Sequence, residues 1–156
     1  MIGRRVLGGL MAVGLALTLA GPAAALRVGT TAGGIGWQAG GVTFEERSTM
    51  QLTASSYSLW VVTAAVKSGA FLADAQITIR DEAGVAVFDH RVGGPWLYVD
   101  LPPGRYTVQA RLGGADQRRS TSIRQGDHHQ MLFYFATGDE VGGAASPAPP
   151  AASAPR

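Results

Sequence analysis

The stretch that most constrains this chain is PWLYVDLPPGRYTVQARL, Pro95 to Leu112, which reads as a strand, a Pro-Pro-Gly turn and a second strand. Successive residues of a strand point to opposite faces. Leu97, Val99 and Leu101 therefore share one face, and Trp96, Tyr98 and Asp100 share the other. Beyond the turn, Tyr106, Val108, Ala110 and Leu112 form an apolar face, with Arg105, Thr107, Gln109 and Arg111 opposite. This is the alternation of a half-buried antiparallel sheet. Pro102 and Pro103 lack an N–H and fix φ, so the ladder must stop there, and Gly104 is free to take a positive φ.

Parity narrows the choice further. A three-residue loop would set Leu101 opposite Arg105, an inward residue against an outward one. Either the loop has four residues, placing Leu101 opposite Tyr106 and Trp96 opposite Arg111, or the two strands belong to different sheets. The second arrangement suits the corner of a sandwich. There a Tyr just after the turn sends its hydroxyl back to the turn backbone, as in a tyrosine corner. Tyr106 takes that structural role, with Pro102, Pro103 and Gly104 as the corner.

Residues 1–25 carry the marks of a secretory signal: Arg4 and Arg5 as a positive n-region, Val6 to Leu19 as an apolar h-region, and Ala23-Ala24-Ala25 as a small-residue cleavage site. The apolar run is short for a membrane span, which needs about 20 residues. Arg4-Arg5 opens a twin-arginine reading alongside the general export route, and no further part of that motif follows. The expected location is periplasmic or secreted. Two of the 13 Lys+Arg lie in the leader, and the rest balance the 11 Asp+Glu, all of which follow Ala25. A formally neutral mature chain gives no electrostatic support for nucleic-acid binding. With no Cys there is neither a disulfide nor a lipid-modified N-terminal cysteine, so no membrane anchor is expected after cleavage.

Residues 26–42, rich in Gly, Thr and Ala, read as an irregular arm, either flexible or docked through Trp37. Residues 43–57 form the one helix candidate. Thr43 and Glu46 fit a capping box, Glu45 and Glu46 sit where the helix dipole favours them, and Arg47, Met50, Ala54 and Tyr57 share a face. Residues 58–136 read as the sandwich domain. Ser58 to Val66 is apolar on both faces, which marks a central strand that the helix or arm would cover. Ala75–Asp81, Val85–Asp89, the two strands around the Pro-Pro-Gly turn, the polar edge strand Gln117–Ile123 and His128–Phe135 complete seven strands. Residues 137–156, dominated by Gly, Ala, Ser and Pro, read as a disordered tail.

The segment GAFLADAQITIRDEAGVAVFDHRVGGPWLYVDLPPGRYTVQARLGG resembles a carboxypeptidase-regulatory-like, transthyretin-like domain. The resemblance rests on the strand Ala75–Arg80, the loop Asp81–Gly84, and Leu101-Pro102-Pro103-Gly104 followed by Tyr106. The chain is also similar to small bacterial exported proteins that carry a "GG…EER" segment ahead of the sandwich, here Gly40-Gly41 and Glu45-Glu46-Arg47. The resemblance covers roughly residues 40–135. It implies an all-β, seven-stranded antiparallel Greek-key β-sandwich with one short N-terminal helix, and an accessory or carbohydrate-binding-like role without catalytic residues. A fold of this kind does not name an activity.

The chemical inventory is thin. There is no Cys, GxSxG, HExxH or glycine-rich phosphate loop. His128 and His129 are adjacent on a strand and face opposite sides, which argues against a shared metal. No catalytic residue, metal or cofactor is expected. Trp96 and Tyr98, two apart on the polar face with Asp100 beside them and Arg111 within possible reach, are the binding candidates for a sugar ring or a peptide. Burial beneath the helix or arm is the competing reading, since large aromatics mostly pack. Two roles follow: a non-enzymatic accessory module that docks an unidentified protein, with Gln117–Ile123 as an available edge, or a module for cell-envelope glycan using Trp96 and Tyr98.

Overall fold

A computed structural model describes residues 26–137. The expected secretory signal, residues 1–25, and all but Thr137 of the expected tail, residues 137–156, lie outside the described residues. The chain is mostly β, in two sheets with one short helix. Its elements are β1 (Arg27–Thr30), β2 (Gly36–Gly40), α1 (Phe44–Thr53) followed by a 3-10 turn (Ala54–Ser56), β3 (Leu59–Ala65), β4 (Gln76–Asp81), β5 (Ala86–Arg91), β6 (Trp96–Val99), β7 (Gly104–Leu112), β8 (Ala115–Ile123) and β9 (His129–Phe135). The first sheet has the order β1-β2-β6-β3-β9 and the second β5-β4-β7-β8. The core fills the space between them, with Leu59, Val61, Ile77, Ile79, Phe88 and Phe133 among its fully enclosed side chains.

The corner reading of Pro95–Leu112 holds, for β6 lies in the first sheet and β7 in the second. Tyr106 Oη donates to the Pro102 carbonyl at 2.9 Å, spanning the corner. Gly104 departs from expectation. It is absent from the glycines with positive φ and begins β7 as extended backbone. Its missing side chain leaves room for the Tyr106 ring, whose atoms would stand 3.4 Å from a Cβ at Gly104.

Two further expectations are corrected. The described residues form nine strands rather than seven, because the expected arm forms β1 and β2, and β2 pairs with β6 from Trp37↔Val99 to Gly40↔Trp96. The sheets are also not wholly antiparallel: β3 and β9 run parallel from Leu59↔His129 to Ala65↔Phe135. The chain between them builds β4 and β5 in the second sheet, returns to the first as β6 on one side of β3, crosses again to build β7 and β8, and comes back as β9 on the other side of β3. Such a crossover permits parallel pairing where a hairpin would not.

Helix α1 starts as its sequence demands. Thr43 Oγ1 accepts from the Glu46 N–H at 3.2 Å, while Glu46 Oε2 reaches back to the Val42 N–H at 2.9 Å, one residue earlier than in a strict capping box. Arg47 Nη1 donates to the Gly41 and Val42 carbonyls at 2.9 and 3.0 Å. The GG…EER segment is thus a clasp, in which Glu46 and Arg47 bind the loop that delivers the helix. Met50 is fully enclosed, and Arg47, Ala54 and Tyr57 are half-buried, as the shared face requires. Enclosing Met50 contributes about 2 kcal/mol.

Candidate functional site

The outer face of the first sheet holds an aromatic ladder. Trp96 stacks on Tyr98 with centroids 6.2 Å apart, Tyr98 meets Trp60 at 5.5 Å and Tyr57 at 5.9 Å, and Trp60 stacks on His128 at 5.9 Å. Register explains the sequence: β6 lies between β2 and β3, so Tyr98 pairs with Gln38 on one side and Trp60 on the other. The ladder is tied down at its polar ends. Trp60 Nε1 donates to the Ala54 carbonyl at 3.1 Å, and His128 Nδ1 donates to the Tyr57 carbonyl at 2.9 Å. At the other end Phe71 meets Trp96 edge-on at 5.8 Å, under the Arg47 guanidinium 5.7 Å from the Phe71 ring centre.

Of the four residues expected to bind together, the structure assembles only a part. Tyr98 is 4% exposed, and burial pushes its hydroxyl pKa upward. Trp96 is half-buried, and its Nε1 is enclosed without a hydrogen-bond partner among the described residues. Asp100 is exposed where the chain leaves β6, and its N–H donates to the Gly36 carbonyl at 2.9 Å. The Asp100 carboxylate adds to burial in pushing the Tyr57 pKa upward. Arg111 is not near them: it lies on β7 in the second sheet, 3.1 Å from Asp116 Oδ2. Parity placed Trp96, Tyr98 and Asp100 on one face, but a change of sheet at Pro102-Pro103 carries Arg111 away.

The second sheet presents a different surface. Register aligns its outward residues in rows across β5, β4, β7 and β8: Arg91–Gln76–Arg111–Asp116, then Asp89–Thr78–Gln109–Arg118, then Ala86–Arg80–Thr107–Ser120. No aromatic or large apolar side chain interrupts these rows. Hydrogen bonds run along them, from Gln76 and Thr78 to Asp89 Oδ1 at 2.7 and 2.9 Å, and from Gln109 and Arg111 to Asp116 Oδ2. The Gln109 amide first, and Arg111 second, hold the Asp116 carboxyl below the usual range. The alternation in β4 and β7 marked Arg80, Thr107 and Gln109 as outward-facing. Their alignment with Arg118 needed the strand order.

The free edges are the third feature. β8 is the end strand of the second sheet, as its polar sequence suggested, and pairs with β7 without a shift over all nine residues. Gly113 and Gly114 both take positive φ, as a two-residue I′ hairpin turn requires. Alternation from that turn directs the backbone groups of Asp116, Arg118, Ser120 and Ser122 away from β7. None of them makes another backbone bond among the described residues. The inward side of β8 is closed against β9 by side chains: Gln117 Nε2 donates to the Tyr134 carbonyl, Thr121 Oγ1 lies 3.2 Å from His129 Nδ1, and the Arg119 guanidinium covers Phe133 at 5.5 Å.

Among the described residues no group of three or more His, Asp or Glu side chains is placed to hold a metal. No helix there is long and apolar enough to cross a membrane. In comparison with known proteins, no family model matches the chain and no curated protein is similar to it.

Proposed function

We propose that this chain is a non-enzymatic interaction module of the cell envelope that docks a protein partner along the free edge of β8. The observation that carries this reading is the nine-residue unbulged edge, with its backbone donors and acceptors open on one side. Such an edge accepts an added strand through main-chain hydrogen bonds. The other edges are less suitable. β5 has a bulge opposite Ile79/Arg80 and ends in Asp89-His90-Arg91, β1 has only four residues, and β9, the other end strand of the first sheet, has its Tyr134 carbonyl taken by Gln117 of β8. The n-region and h-region of residues 1–25 support placement outside the cytoplasm. The two sheets and the Tyr106–Pro102 corner support a carboxypeptidase-regulatory-like, Greek-key sandwich within the same proposal. Glycan binding by Trp96 and Tyr98 is the less favoured role, since Tyr98 is covered and Arg111 lies on the other sheet.

The test is a photoreactive residue at Ser122 in the full chain, irradiated in producing cells. A discrete adduct is expected, and it should disappear when Ser120→Pro removes an outward N–H from the edge while the thermal midpoint is retained. No adduct, or one indifferent to Ser120→Pro, would overturn the proposal.

A further inference from the structure

We infer that the outer face of the second sheet carries an oxyanion site, with Arg80 and Arg118 closing on a phosphate-type group from two sides. The inference rests on how the charges of this face are already used. Each carboxylate has a donor within the protein: Asp89 has Gln76 and Thr78, Asp116 has Gln109 and Arg111, Asp81 has the Val85 N–H at 2.9 Å, and Glu82 has Arg105 at 3.6 Å. Arg111 and Arg105 are committed to those partners, and Arg91 to Asp74 at 3.8 Å. Among the described residues Arg80 and Arg118 hydrogen-bond only to neutral oxygens, and the Arg118 charge also acts at longer range on the Asp116 carboxylate. Arg80 Nη1 donates to the Gly84 carbonyl at 3.0 Å, and Arg118 Nη2 reaches Gln109 Oε1 at 3.4 Å.

A guanidinium has five N–H donors in a fixed fork, so most of the donors on this pair are unspent. The two side chains start from strands on either side of β7 and line one concavity of about 290 Å³, with Thr107 and Gln109 between them. Asp81 and Glu82 stand at its rim, each with the partner named above. No ring is available for stacking, which excludes a ligand held by its sugar or base faces. Charge and hydrogen bonds must supply the affinity, and two forks lining one concavity suit a tetrahedral phosphoryl oxyanion better than a single carboxylate. Such a group occurs in free phosphate and along phosphate-bearing polymers.

The experiment is a titration of the full chain, following the arginine Nε–H resonances by NMR, with inorganic phosphate in one arm and inorganic polyphosphate in the other. Saturable shifts confined to Arg80 and Arg118 are expected, with Arg27 and Arg91 unmoved. Tighter binding of polyphosphate would assign a polymer, and equal affinity per phosphate would assign the free ion. The Arg80→Gln/Arg118→Gln variant should keep its thermal midpoint and bind about tenfold more weakly, the equivalent of about 1.4 kcal/mol. Shifts spread evenly over all arginines, no saturation in either arm, or full affinity in the double variant would overturn the site.

Discussion

Gly94 lies against the backbone of Gly40, so close that a Cβ on Gly94 would stand 2.1 Å from the Gly40 carbonyl oxygen. The contact joins the approach to β6 to the end of β2, where Gly40 pairs with Trp96. Neither backbone can move without opening that pairing. Gly94→Ala is expected to lower unfolding free energy by about 3 kcal/mol, the upper part of the overpacking range. Urea unfolding followed by tryptophan fluorescence measures it, and a loss below about 1 kcal/mol would mean that the contact relaxes easily.

The corner gives a more selective prediction. Tyr106→Phe keeps the ring beside Gly104 and removes only the hydroxyl that donates to the Pro102 carbonyl. A cost of about 1 kcal/mol is expected, that of one hydrogen bond. Tyr106→Ala, which also empties space in the core, should cost about 3 kcal/mol or more. Equal losses in the two variants would show that the hydroxyl alone supports the corner.

Alkaline stability follows from the tyrosines. Burial raises the pKa of Tyr98, burial and then Asp100 that of Tyr57, and burial and then Asp81 that of Tyr106, all from an ordinary 10.0. The unfolded chain therefore loses these protons first. The stabilisation is complete below the unfolded value and is lost as pH rises past it toward the folded values. The urea midpoint should hold below pH 10.0 and decline above it, and Tyr98→Phe should make the decline shallower. An unchanged slope would remove Tyr98 from that account.

The elements legible in the sequence were those with large apolar residues at a regular period: β3, β4, β7, β9 and α1 with its Thr43 cap. β1 and β2 were not, because they read as Gly, Thr and Ala. In β2 the inward positions are Trp37 and Ala39, and the outward ones are Gln38 and Gly40, which lie under the helix. Gln38 is only 3% exposed, and its Oε1 accepts from Thr53 Oγ1 at 2.7 Å. A glycine or glutamine buried by a neighbouring helix leaves no hydrophobic pattern to read. The aromatic ladder was legible as one face of one strand, but Trp60 and His128 joined it only through pairing. The arginine face depended on the pairing of β4 with β7, two strands separated by β5 and β6 in sequence, which periodicity does not reveal.

The parallel pairing of β3 with β9 has a consequence for the order of folding. Leu59 meets His129 and Ala65 meets Phe135, so the pairing of β3 is complete only when nearly the last described residues are present. Contacts of such long sequence separation slow folding, because the loop must close before they form. A chain delivered N-terminus first can make the β4–β5 and β7–β8 hairpins on the way, yet β3 keeps one edge unpaired until β9 arrives. Throughout that interval the apolar strand Leu59–Ala65 is the segment most in need of shielding.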